Sequence, residues 1–211
     1  VCNSQNGENF LCEIQDLENE NIICKIKEKI KKQVESNVEV TIFQGLPKAD
    51  KMEFIIQKAV ELGVYDITPV EMKRCVVKLN EKDKVKKVER WQKISEVAAK
   101  QSGRDIIPQI NNVTNVKNIY ELIPKYDIVI VAYENEQNRT LKEQLKQIKE
   151  TGKTDKIKIG IVIGPEGGLE ENDVEQLETN GAKIVTLGKR ILRTETVALN
   201  VLSIIMYELE N

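Results

Sequence analysis

Histidine is absent from this 211-residue chain. Its absence removes the commonest general base, the usual catalytic triads and every zinc site that uses an imidazole. A proton acceptor must therefore be a carboxylate, lysine, tyrosine, cysteine, the substrate or water. The four cysteines, Cys2, Cys12, Cys24 and Cys75, form no C-x-x-C pair. Neither a metal site nor a thioredoxin-type motif is expected, and the thiols read as free in a reducing cytosol. Long hydrophobic runs are lacking too. Ile128-Val129-Ile130-Val131-Ala132 and Ile161-Val162-Ile163 fall far below the ~18 residues a membrane span needs. No charged, apolar and small-residue leader follows Val1, so no signal peptide is expected; the missing methionine implies a start that is absent or removed. Neither G-x-G-x-x-G nor G-x-x-x-x-G-K occurs, which leaves a dinucleotide or nucleoside triphosphate site without support.

What is there, 40% hydrophobic and 31% charged residues, fits a globular protein with a sizeable core. At ~100–200 residues per domain, the length holds one domain, or one domain plus a remnant. The net charge of −2 hides an uneven distribution. Lys73 to Arg104 carries eleven basic residues against four acids, a local +7 that leaves −9 elsewhere. A solvated helix face and attraction to a nucleic-acid backbone both account for it.

Residues 1–36 read as strands. Phe10 to Ile14 and Ile22 to Ile26 alternate, with Asn19-Glu20-Asn21 as the turn. Such a hairpin is too small to be stable alone and looks like the tail of a small β domain. Glu28 to Asn37 reads as a linker. From Val38 strands and helices alternate, which predicts an α/β fold with a mainly parallel sheet. Strands are expected at 38–43, 66–70, 127–133, 158–163 and 182–187. Helices are expected after Pro47, over 82–101, 139–150, 170–179 and 195–209. Asp50 and Glu53 have capping-box spacing, and Phe54, Ile55, Ala59 and Leu62 would form an apolar face ending at Gly63. Trp91, Ile94 and Ala98 give the 82–101 helix a core side, leaving its basic residues for a partner. The last helix is apolar over more than one stripe, so it is deeply buried or shared with a second subunit.

Ligands of such sheets bind beyond the carboxyl ends of the strands. Three loops lie there: Tyr133-Glu134-Asn135, Gly164 to Gly168, and Gly188 to Thr196. Glycines let backbone approach a ligand closely, although an ordinary tight turn explains them as well. In the third loop Thr194 can cap the last helix and Glu195 suits its positive end. The cations Lys189, Arg190 and Arg193 just upstream are unexplained by capping and point to an anion or a developing negative charge.

Ile163-Gly164-Pro165-Glu166-Gly167-Gly168, followed by Leu187-Gly188-Lys189-Arg190-Ile191-Leu192-Arg193-Thr194-Glu195-Thr196-Val197, resembles the RsmE family, 16S ribosomal RNA uridine N3-methyltransferases of the SPOUT superfamily. Lys51 to Gly63, Arg74 to Lys78, and Trp91 to Ile94 with Gln101 to Arg104 match as well. The likeness runs from about residue 10 to the end; the family usually has Ala where Val197 stands.

The resemblance implies a SPOUT-type trefoil-knotted domain at 37–211, preceded at 1–36 by the later part of a PUA-like RNA-binding β-barrel. It implies a cytoplasmic homodimer without metal or membrane attachment, acting on ribosomal RNA in the small ribosomal subunit. S-adenosyl-L-methionine would sit between the loops named above, held by Ile163, Gly164, Pro165, Glu166, Gly167 and Gly168, by Thr186, Leu187, Gly188, Ile191, Leu192, Thr194 and Thr196, and bordered by Tyr133 and Glu134. Arg193 is the candidate for stabilising negative charge on a deprotonated uracil. Glu166 and Glu195 are the nearest candidate proton acceptors, though each also has a structural role available. Lys48, Lys51, Arg74, Lys78 and Arg104 would grip RNA, helped by the lysines at 82–93. The rival readings are a related methyltransferase acting on a different RNA base and a non-catalytic RNA-binding or ribosome-assembly factor.

Overall fold

The computed structural model describes residues 1–3, 6–18, 20–30, 34–153 and 155–210. Three strands, β1 (Cys2–Asn3), β2 (Glu8–Glu18) and β3 (Asn21–Ile30), form an antiparallel sheet. The alternating segments thus pair as expected, and the ladder is longer than the alternation suggested. Glu28 to Ile30 continue β3 instead of starting a linker, because Glu28, Lys29 and Ile30 pair with Leu11, Phe10 and Asn9. Asn19 of the expected turn and residues 31–33 of the expected linker lie outside the described residues. Leu11, Ile14, Leu17, Ile22 and Ile26 are all exposed on this sheet.

The second sheet is parallel throughout. Its strands are β4 (Val38–Gly45), β5 (Asp66–Glu71), β6 (Gln109–Ile110), β7 (Thr114–Asn115), β8 (Ile128–Ala132), β9 (Ile157–Ile163) and β10 (Lys183–Val185). The order is β10-β8-β9-β4-β5-β6, with β7 also on β5. All eight residues of β4 are buried, and β9 is buried except at Lys158. Near-complete burial of this kind is what a sheet covered on both faces requires, and it encloses Glu39, Thr41 and Gln44 along with the apolar residues of β4.

Six helices provide the cover: α1 (Lys51–Glu61), α2 (Glu81–Ser102), α3 (Val116–Leu122), α4 (Leu141–Glu150), α5 (Glu171–Thr179) and α6 (Thr194–Leu209). Asn80 caps α2 by accepting from the Asp83 amide. Thr140 and Glu143 form a reciprocal capping box on α4. Two local expectations fail. Asp50 precedes α1 but makes no side-chain cap, and Glu53 turns outward to pair with Arg90 of α2. Phe54 is 45% exposed; α1 buries Met52, Ile55, Ile56, Ala59 and Val60 instead. Helix α1 packs against α2 and α6, so its Ile55–Ala59 side turns inward and Phe54 is left at the surface. Elements β6, β7 and α3 carry too little periodicity to stand out in the sequence. Among the described residues no helix is long and apolar enough to cross a membrane, and Cys12, Cys24 and Cys75 are free thiols.

Candidate functional site

The carboxyl ends of β8, β9 and β4 converge with the turn before α6. Gly45, at the end of β4, runs so close to the next loop that an added Cβ would lie 2.6 Å from the Pro165 nitrogen. Gly164 is crowded in the same way by Gly168 and Leu169. At Gly168 φ is +72°, a left-handed conformation that favours glycine, and the Glu134 carboxylate occupies the space where a Cβ would sit. Main chain therefore packs on main chain here, and any side chain would push the loops apart.

Between these loops lies a cavity of about 440 Å³. Ala132, Tyr133 and Glu134 form one wall, and Ile163 to Glu166 with Gly168 form another. The segment from Thr186 to Thr194, together with Val197, closes it, and Lys51 reaches in from α1. The structure brings together thirteen of the fifteen cofactor residues inferred from the resemblance. Gly167 turns away and offers its carbonyl to Arg74 Nη1 at 3.2 Å. Thr196 is exposed on α6 and borders a different groove with Leu199 and Tyr207.

Thr194 is not the cap of α6. Arg193 holds that position, and Thr194 is the first helical residue. Its buried hydroxyl donates to the Gly164 carbonyl at 2.7 Å and accepts from Gln44 Nε2 at 2.8 Å. Gln44, at the end of β4, is fully buried. One short hydrogen-bonded chain thus ties the ends of β4 and β9 to the start of α6. Gln44 and Gly45 escaped the reading of the sequence, although a glutamine closing the run Val38–Phe43 is a polar intrusion that calls for buried partners; its Nε2 finds them in Thr194 and the Gly45 carbonyl, while its Oε1 has none among the described residues.

The two candidate carboxylates differ. Glu166 accepts from Lys51 Nζ at 2.9 Å and from the Lys48 amide at 3.0 Å. Burial pushes its carboxyl up, but the Lys51 hydrogen bond and the Lys48 amide outweigh that, and its pKa lies below the ordinary value. Glu195 Oε2 is 3.5 Å from the same ammonium and has no hydrogen-bond partner among the described residues. Lys51, held by both, is correspondingly raised, first by its bond to Glu166.

The expected RNA-gripping cations also separate. Lys51 is tied into that triad. Arg104 is 9% exposed, pairs with Glu35 and donates to the Val60 and Val64 carbonyls. Such a guanidinium is spent inside the molecule and is not offered to a phosphate. Arg74 is engaged with Gly167. Lys48 and Lys78 are exposed, and their ammonium groups lack a partner among the described residues. At the pocket, Lys189, Arg190 and Arg193 are likewise exposed and unpaired there.

The chain matches the family model described as an RNA methyltransferase domain over residues 34–206. It is similar to Ribosomal RNA small subunit methyltransferase E of Bacillus subtilis (strain 168), with 38% identity over 100% of this chain and 82% of that protein. The protein of the same name from Mesomycoplasma hyopneumoniae (strain 232) is 36% identical over 93% of this chain and 85% of its own. Among solved structures, Ribosomal RNA small subunit methyltransferase E from Neisseria gonorrhoeae bound to S-adenosyl methionine superposes with a TM-score of 0.80. It is 30% identical, covering 95% of this chain and 79% of that one.

Proposed function

The chain belongs to the ribosomal RNA small subunit methyltransferase E family, and on that premise we propose that it methylates N3 of a uridine in 16S ribosomal RNA. It is an S-adenosylmethionine-dependent RNA methyltransferase. The observation that carries the finer reading is the juxtaposition, at one cavity, of a glycine-lined cradle, an Arg193 unpaired among the described residues, and Glu166, with Glu195 outside the lining but 3.5 Å from the Lys51 ammonium that reaches in.

The cavity fits the cofactor. Its size falls within the ~300–1,000 Å³ of small-molecule sites. Ile163, Leu187, Leu192 and Val197 supply apolar walls for an adenine, and the crowded glycines let backbone amides and carbonyls reach a ligand. Glu134 offers negative charge to a cationic one. When bound, S-adenosylmethionine supplies an electrophilic methyl group on a good leaving group, so the protein's task is chiefly placement. The loop 163–168 would hold one side of the cofactor and residues 186–192 the other. Arg193 would hold a uracil carbonyl oxygen and stabilise the charge that appears there when N3 loses its proton. Glu166 is committed to Lys51 and the Lys48 amide, which makes it the anchor of its loop. Glu195 retains acceptor capacity and is the better candidate to take the N3 proton.

The same reading makes residues 1–36 the later part of a PUA-like barrel and residues 37–211 a trefoil-knotted methyltransferase domain. The Gln44–Thr194–Gly164 tie, which draws the chain after β10 back across the ends of β4 and β9, supports the knot. The outer face of α6, with Tyr207 87% exposed beside Leu199 and Ile204, supports a homodimer. A ribosomal substrate supports a cytoplasmic location.

Methyl transfer from labelled cofactor to unmodified small ribosomal subunits, with the product nucleoside identified by mass spectrometry, tests the proposal. N3-methyluridine is the expected product, and methylation of another base would overturn it. Glu195→Gln and Arg193→Ala should each lower turnover at least tenfold and change cofactor affinity less than twofold. Glu166→Gln should do the reverse. Equal losses in turnover and affinity would make Arg193 a binding residue.

A further inference from the structure

The basic stretch from Lys73 to Arg104 is less available than its charge suggests. Lys73, Lys84, Arg90 and Arg104 are paired with Glu170, Glu71 and Glu81, Glu53, and Glu35. Two of the lysines unpaired among the described residues, Lys86 and Lys93, line a groove of about 610 Å³ between α1 and α2, set apart from the cofactor pocket. They stand seven residues apart on α2, two turns along one helix face. Ile94 and Val97 give the groove an apolar floor, with Val97 65% exposed. Glu89 is the one acid in the lining whose charge is uncompensated by an ion pair among the described residues, and Gln57 of α1 forms the opposite wall.

Helix α1 reaches both the groove and the pocket. Lys51 lines the pocket and Gln57 lines the groove, about 9 Å apart along the axis at ~1.5 Å per residue. Phe54 lies midway, three residues from each, which sets it on the helix surface between them. It is 45% exposed although its neighbours Ile55 and Ile56 are fully buried. An aromatic ring held at the surface between a pocket mouth and a groove with spaced free cations is a stacking platform followed by phosphate contacts.

We propose that the α1–α2 groove carries the RNA strand flanking the target nucleotide, with Phe54 stacking on a neighbouring base and Lys86 and Lys93 contacting successive phosphates. This rests on the methyltransferase reading above, because it takes the pocket as the place where the target base is held. Charge complementarity, and the shared helix that places Phe54 between groove and pocket, favour an RNA strand over an acidic protein segment.

Binding of the full chain to protein-free small-subunit ribosomal RNA and to assembled small subunits tests it, with cofactor affinity measured alongside. Lys86→Glu with Lys93→Glu should weaken binding to both RNA forms at least tenfold. For each phosphate left without its lysine, the slope of log affinity on log salt should also fall by about 1. Phe54→Ala should weaken binding severalfold and leave the salt slope unchanged, since stacking releases no counterions. Lys117→Glu with Lys142→Glu, the same charge change on exposed sites of α3 and α4, should stay within twofold. Cofactor affinity should be unchanged in every variant. Full binding by the groove variant overturns the proposal. So does a loss confined to assembled subunits, which would assign the groove to a ribosomal protein. Failure of the unsubstituted protein to bind cofactor or transfer methyl would instead overturn the reading of the pocket.

Discussion

At the residue scale the site depends on one hydroxyl. Thr194 joins three segments that are far apart in the chain, accepting from Gln44 and donating to Gly164. Thr194→Val keeps the shape and removes the polar group, leaving a Gln44 N–H and the Gly164 carbonyl without their partner. An unsatisfied buried group costs about 1–3 kcal/mol. Thr194→Val should therefore lose about 2 kcal/mol in urea unfolding and bind S-adenosylmethionine several times more weakly, and Thr194→Ser should restore both. The sequence made Thr194 a helix cap because Ser and Thr commonly stand at such positions. What it could not show is that the hydroxyl faces inward, since Gln44 lies 150 positions away. Arg104 is the reverse case. In the sequence it was one more cation in a basic run, and only the approach of Glu35 and the carbonyls at 60 and 64 reveals where its charge is spent.

At the element scale, the strands buried on both faces were the most legible parts, because β4, β8 and β9 are predominantly apolar and covered by helices. The glycine loop after β9 and the cationic loop before α6 were legible as sites for a related reason: each places unusual residues at the carboxyl end of a strand. The short β6 and β7 were silent, being two residues each. The loop from Tyr133 to Thr140 has its own fastening. Glu136 accepts from the amides of Gln137, Asn138 and Arg139 and from the Arg139 guanidinium. These bonds, led by the Asn138 and Arg139 amides, lower its pKa to about 2. A carboxylate depressed in the folded state stabilises above its unfolded value and loses that contribution as pH falls toward the folded one. Glu136→Gln should accordingly lower Tm at neutral pH, and the gap from the unsubstituted protein should shrink between about pH 4.5 and pH 2. A gap that persists undiminished at pH 2 would refute this account.

At the scale of the whole molecule, the segment that leads into β4 is fastened to the end of α2 through Glu35. It stands between β3 and β4 and accepts from Arg104 and from the amides of Asp105 and Ile106. Burial raises its carboxyl, but the Arg104 hydrogen bond and charge overcome that and hold it low. Removing one partner of a buried pair leaves the other uncompensated, at about 3–5 kcal/mol; partial exposure of Glu35 brings the expectation to the lower end. Arg104→Met should thus shift the urea midpoint by an amount worth about 3 kcal/mol and leave cofactor affinity nearly unchanged. A weakened cofactor site with unaltered stability would contradict it.

The close approach of Gly45 to Pro165 also bears on how the protein comes into being. Parallel pairing joins strands distant in the chain, and such topologies assemble slowly. The segment from Thr186 to Val197 closes the pocket, yet it is made after every other part of that pocket. During synthesis the ends of β4 and β9 must wait, with Gln44 unsatisfied, until that segment leaves the ribosome. A nascent chain halted before residue 186 would carry most of the sheet and no cofactor site.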